Sequence, residues 1–349
     1  MFSQKAADAL LVTSLPNIQY LTGFSGSAGA LLVTASQATL VTDSRYTIQA
    51  REELAGSGVR AEIARKGLLA ATASLLGRPQ GKLRLGFDPG QVTVAQKAAL
   101  DKAIGSRVRW VDAGGLVERL RAVKEREELA TMREAALLIS AVFSIVLPKI
   151  HVGLSELQIS AEIEYEMKKR GASGPSFDTI VASGRRSALP HARATSKLLS
   201  EKELVVLDQG AILRGYCSDM TRTVFLGRAP ARVRQMYEAV REAQEAAKAA
   251  VMPGITAGAV DRAARQALTR RGFGRFFTHS TGHGLGMEVH EIPRLGKGDA
   301  SMLEEGMVIT IEPGVYVEGL GGIRIEDDVV VTSRGGVDLT NATREFLEL

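Results

Sequence analysis

HSTGHGLGMEVHE, residues 279–291, decides how this chain is read. It holds His279, His283 and His290, three of the five histidines in the sequence. The spacing of His279 and His283 would put both on one face of a helix. Gly282, Gly284 and Gly286 stand among them, however, and each glycine costs a helix interior about 1 kcal/mol relative to alanine. The stretch therefore predicts a glycine-rich loop and strand that brings backbone and imidazoles close to something small. A lone histidine is usually a satisfied core or surface residue; three so close together, with glycines between, point to a site.

Acids lie on both sides of this stretch. Glu312 ends the strand-like MVITIEPG (307–314), and GGIRIEDDVVV (321–331) reads as one further strand. Side chains alternate along a strand, so Arg324 and Glu326 share one face and Ile323 and Ile325 the other. Upstream, LVVLDQG (204–210) carries Asp208 at the end of a run of buried type. YCSDMTRTVFL (216–226) places Asp219 within the next strand, on the face of Thr221 and Thr223. A carboxylate in an apolar strand is costly to bury unless it is paired or bound to metal. Four such acids and a histidine favour a metal site. The set is mostly hard oxygen and suits Mn²⁺, Co²⁺, Fe²⁺ or Zn²⁺. Two divalent ions balance four carboxylates, whereas one leaves excess negative charge.

Asp208, Asp219, His283, Glu312 and Glu326, in that order, resemble the five-ligand dinuclear metal site of the pita-bread peptidases. That family includes methionine aminopeptidases, prolidases, aminopeptidase P and creatinase. The matching motifs are VVLDQGAILRGYCSDMTRT (205–223), STGHGLGMEVHE (280–291), EEGMVITIEPGVYV (304–317) and GIRIEDDVVVT (322–332). NIQYLTGFSGSAG (17–29) and TDSRY (42–46) resemble the N-terminal domain of the prolidase, aminopeptidase P and creatinase branch, so the likeness covers nearly the whole chain.

The resemblance implies an α/β (α+β) chain: a small creatinase-like N-terminal domain, residues 1–122, and a pseudo-two-fold pita-bread catalytic domain, residues 123–349. It implies two divalent ions per chain. Asp208 chelates one ion, His283 and Glu312 bind the other, and Asp219 and Glu326 bridge. Glu312 also shuttles a proton. His290 and His279 face the carbonyl and its developing oxyanion. His191, in SALPHA (187–192), lines the leaving-group side, and Arg324 orients Glu326. The substrate implied is a peptide with proline in second position, and the assembly a homodimer. An Xaa-Pro dipeptidase is the first reading and aminopeptidase P the second; a partner-binding relative is disfavoured because all five ligand types are retained. Arg45, in TDSRY, is the candidate partner for a dipeptide's carboxylate, with an ion pair to Asp43 as the alternative. His151 has no such match and is read as structural.

Composition agrees with this class. The 349 residues exceed one typical domain. Net charge is +5, but Lys and Arg are spread along the chain, which argues against a nucleic-acid partner. Cys217 is the single cysteine, which excludes an intramolecular disulfide, suits the cytoplasm and reads as a small buried residue. Neither a signal peptide nor a membrane span is expected. A weak internal repeat adds a signal independent of the resemblance. HVGLSELQISAEIEYEMKKRG (151–171) aligns with MPGITAGAVDRAARQALTRRG (252–272) at an offset of 101, with Ser155 and Thr256 as N-caps of equivalent helices. A long helix is predicted before each, over 125–147 and 230–251. Two αβ halves follow, with Asp208 and Asp219 in the first and His283, Glu312 and Glu326 in the second.

Overall fold

A computed structural model describes residues 7–65, 67–76, 82–105 and 108–349. Two compact units divide the chain between Arg121 and Ala122.

The N-terminal unit is built on strands β1 (Ala9–Val12), β2 (Ala30–Thr34), β3 (Ala38–Asp43), β4 (Arg60–Ala64), β5 (Leu83–Phe87) and β6 (Val108–Asp112). They form one mixed sheet in the order β4-β3-β2-β1-β5-β6. Alternation along β1 fills both faces: Leu10 and Val12 pack with Ile18 and Leu40, while Ala9 and Leu11 pack with Leu85 and Leu100. One helix of this unit spans Thr47–Glu53 and stops before Gly56 and Gly58, both at positive φ. Another spans Val94–Ile104 and is capped by Thr93 through a capping box with Gln96. Strands β4 and β6 are not legible in the sequence. They are the sheet's edges and carry Arg60, Glu62, Arg109 and Asp112, so no apolar run marks them.

The second unit repeats one αβ plan twice. Its helices are α1 (Arg126–Val146), α2 (Glu156–Lys169), α3 (Ala231–Ala249) and α4 (Ala257–Arg270). Both ends of α2 and α4 keep the 101-residue offset. Gly153 and Gly254 are both left-handed, as are Gly171 and Gly272. The backbone bonds match as well. Gly153 N–H donates to Leu199 O and Gly254 N–H to Leu303 O; Glu156 N–H donates to Lys197 O and Ala257 N–H to Ser301 O. Ser155 caps α2 through a full capping box with Gln158, whereas Thr256 makes no side-chain cap bond, and its N3 residue is Ala259, which cannot reciprocate. The segment Arg126–Lys149 is long and apolar enough to cross a membrane by length and hydropathy alone. Its apolar face, with Ile139, Val142 and Phe143, is packed against Val205, Leu207 and Val224.

The strands follow the same plan. The first half contains β7 (Gly174–Pro175), β8 (Ile180–Ser183), β9 (Leu204–Gln209), β10 (Ala211–Leu213), β11 (Tyr216–Cys217) and β12 (Met220–Phe225). The second contains β13 (Gly282–Gly284), β14 (Glu291–Leu295), β15 (Val308–Ile311), β16 (Gly314–Val317), β17 (Gly321–Arg324), β18 (Asp327–Thr332) and β19 (Gly335–Asp338). Two of their sheets run β12-β9-β8 and β14-β13-β15-β18-β19; β11-β10-β7 and β16-β17 form smaller ones. Two readings need correction. Asp219 lies between β11 and β12 rather than inside a strand. GGIRIEDDVVV is two strands, because the chain leaves the β16–β17 ribbon at Arg324 and enters the larger sheet at Asp327. Glu326 falls in the break, where its N–H donates to Thr221 O.

Candidate metal centre

The two halves deliver their acids from equivalent places. Asp208 is near the end of β9 and Glu312 just past the end of β15; Asp219 just precedes β12 and Glu326 just precedes β18. His283 is the middle residue of β13. The glycines beside it are explained by space. A Cβ at Gly282 would lie 2.0 Å from Thr310 O, and one at Gly284 would lie 2.2 Å from Ile292 O. Only glycine lets β13 press so closely against β15 and β14.

These five side chains converge in a cleft of about 300 Å³ that His191 and His290 also line. Ligand atoms of Asp219, His283 and Glu326 all lie within 4.8 Å of one another. His283 Nε2 is 3.8 Å from Asp219 Oδ2 and 3.6 Å from Glu312 Oε1. His283 Nδ1 is 3.0 Å from Gly284 O, and a carbonyl only accepts, so Nδ1 carries the proton. Nε2 therefore turns a bare lone pair toward the carboxylates.

Electrostatics disfavour ionisation of the whole cluster without a cation. Burial, with Glu326 and Asp208 nearby, pushes the Asp219 carboxyl well above the usual range. Burial and the Glu312 charge do the same to Glu326, and burial raises Glu312 to about 8. Burial also holds His283 down at about 4. Asp208 Oδ1 and Asp219 Oδ1 are buried with no hydrogen-bond partner. Buried carboxylate oxygens without donors, facing one another and a bare imidazole nitrogen, fit divalent cations. The five residues read from the sequence as ligands all line this cleft.

Arg324 departs from its expected contact. Its Nη2 donates to Asp208 Oδ2 at 2.6 Å rather than to Glu326. It reaches Glu326 through Thr221: Arg324 Nε donates to Thr221 Oγ1, and Thr221 Oγ1 donates to Glu326 Oε2 at 2.6 Å. The same guanidinium holds Tyr316 Oη at 2.7 Å and Pro190 O at 3.1 Å. His279 is also placed differently, since it is not among the cleft's lining residues. Its Nδ1 donates to Ser280 O, which leaves Nε2 to accept from Tyr316 Oη at 2.9 Å. Burial first, then the Arg324 charge, lowers it to about 4 and keeps it neutral. His279 thus supports Tyr316 and Arg324 from behind. His290 faces the cleft with its ring edge-on to His283, centroids 4.4 Å apart. Arg45 lies in the N-terminal unit, where its Nε and Nη2 donate to the two oxygens of Asp43.

Thr221, Tyr316 and Asp328 were missed in the sequence. Asp328 Oδ2 accepts from the Asp219 N–H at 3.1 Å and so fixes that ligand's backbone. Thr221 was legible as a neighbour of Asp219 on a strand face; Tyr316 and Asp328 carried no comparable signal.

The model of metallopeptidase family M24 matches residues 130–333, and that of the creatinase/prolidase N-terminal domain matches residues 1–123. The chain belongs to metallopeptidase family M24. It is a metallopeptidase that uses divalent metal, and its catalytic unit has the pita-bread fold. It is 36% identical over 345 residues to an Xaa-Pro dipeptidase of Pyrococcus horikoshii, covering 99% of this chain and 95% of that one. A solved Xaa-Pro dipeptidase from Bacillus anthracis shares 37% identity at a TM-score of 0.94, over 100% of this chain and 97% of the other. A solved X-Pro aminopeptidase from Thermotoga maritima shares 34% identity at a TM-score of 0.91, over 99% of both chains. M24 architecture is thus common to both activities.

Proposed function

We propose that this chain hydrolyses the Xaa-Pro bond, chiefly in dipeptides, with two divalent ions (Mn²⁺, Co²⁺, Fe²⁺ or Zn²⁺) per chain. Asp208, Asp219, His283, Glu312 and Glu326, which line one cleft, would hold these ions. When bound, the ions supply Lewis-acid polarisation of the scissile carbonyl and neutralise the four carboxylates. The observation that carries this reading is the convergence of four carboxylates and a bare His283 Nε2 in one cleft, with two carboxylate oxygens lacking any partner.

Glu312, on the cleft wall, takes a proton from the attacking water and returns one to the leaving proline nitrogen. His290 and His191, on the cleft wall, donate to the carbonyl oxygen and the leaving-group side. Arg324 holds Asp208 directly and Glu326 through Thr221, which keeps two ligands in register. Proline suits such a site because its nitrogen has no N–H to satisfy. Residues 123–349 carry the reaction. The single Cys217 suits a reducing cytoplasm, and the family resemblance supports a homodimer.

Aminopeptidase P action is the second reading, favoured by the likeness to the Thermotoga maritima enzyme. A side-by-side assay of Xaa-Pro dipeptides and Xaa-Pro-Yaa tripeptides separates the two. A higher kcat/KM on the dipeptide supports the first reading; preference for the tripeptide replaces it with the second.

A further inference from the structure

We propose that Glu156 and Arg186 form a clamp that positions His191 in the cleft. The inference rests on the peptidase reading, in which His191 faces substrate. His191 sits in the connection between β8 and β9, and among the described residues its ring takes no hydrogen bond. Its place must therefore come from the backbone that carries it.

That backbone is tied to one carboxylate on both sides of His191. Glu156 is the first residue of α2 and is fully buried. Its Oε1 accepts from Ser183 N at 2.8 Å and Ser183 Oγ at 2.9 Å. Its Oε2 accepts from Thr195 N at 3.0 Å and Thr195 Oγ1 at 2.7 Å. Ser183, the last residue of β8, precedes His191 by eight positions and Thr195 follows it by four. Arg186 Nε donates to Glu156 Oε2 at 3.1 Å, and its Nη2 donates to Arg193 O, two residues past His191. Five donors converge on one carboxylate, so an amide at this position would turn an NH₂ toward other donors. These bonds hold Glu156 below the usual carboxylate range against the raising effect of its burial.

The second half contains a counterpart. Buried Asp261 on α4 accepts from Thr281 Oγ1 at 2.9 Å and from Arg265 Nε at 2.7 Å, and Arg265 Nη1 donates to Phe277 O. That pair holds the segment leading to His283. Each half thus secures one of the site's histidine segments with a helix-borne carboxylate and an arginine. Among the described residues, the donors to Glu156 include none of the proposed metal ligands; the same loop meets their support where Arg324 donates to Pro190 O, so metal content is measured beside activity.

The test is a double-mutant cycle with a loop readout. Glu156→Gln should leave metal content per chain unchanged, speed tryptic cleavage after Arg193, and lower kcat/KM on an Xaa-Pro dipeptide by roughly 10- to 100-fold, the scale of small misplacements. In a His191→Ala background the same change should cost nothing further. Thr195→Val should give a milder version of each effect, and Thr195→Ser should restore it; these variants carry the comparison if Glu156→Gln fails to fold. Equal losses in both backgrounds, or unchanged cleavage after Arg193, would overturn the clamp. Absence of turnover in the unmodified protein would instead sink the peptidase reading, while tryptic cleavage still decides whether Glu156 holds the loop.

Discussion

Burial lifts the Glu312 carboxyl to about 8, from an ordinary 4.5 in the unfolded chain. Between those values the metal-free native state keeps a proton that the unfolded state has released, so stability falls as pH rises. His283 and His279 act in the opposite sense: buried and held near 4, they favour the native state as pH rises toward 6.5. Above 6.5 the histidine contribution is complete and the carboxylate one remains. Protein stripped with a chelator should therefore melt lower at pH 8 than at pH 6.5, by about 1–2 kcal/mol of stability from Glu312 alone. Glu312→Gln should shrink that fall, and bound divalent metal should abolish it, because the ligand is then ionised throughout. Melting curves of stripped and loaded protein check this; a stripped protein that melts higher at pH 8 would contradict it. At this scale the sequence picked out five residues that share one cleft but was a poor guide to what supports them. The five ligand types stood in order with their motifs, but Arg324 was assigned to Glu326 by strand alternation. The strand ends at Arg324, and its guanidinium turns to Asp208.

β13 shows why the glycines of 279–291 are needed. The strand is three residues long, with β14 and β15 on either side, and Ile292 O occupies the space a Gly284 Cβ would take. Gly284→Ala should cost about 1–3 kcal/mol, the range for overpacking, and should weaken metal binding because His283 is adjacent. Urea unfolding in chelator measures the first, and a metal titration the second. An alanine variant with unchanged midpoint and affinity would show that the strand has room to move. The glycines predicted this close approach, yet they could not place His279. That residue lies three positions before the strand begins, where no period governs its direction, and its ring turns to Tyr316. β4 and β6 were illegible for another reason, since charged edge strands carry no apolar run.

Across the whole catalytic unit, the pseudo-two-fold was readable because helix caps and left-handed glycines recur at one offset. It explains the site's composition: each half supplies an acid at the end of one strand and an acid at the start of another. What the repeat could not show is how the halves meet, because that depends on contacts such as Glu326 N–H to Thr221 O between distant segments. The most direct test of a two-metal peptidase is a titration of stripped protein with Mn²⁺, following hydrolysis of an Xaa-Pro dipeptide against equivalents added. The predicted result is no turnover in chelator and activity that saturates at two ions per chain; full turnover without metal, or saturation at a single ion, would contradict it.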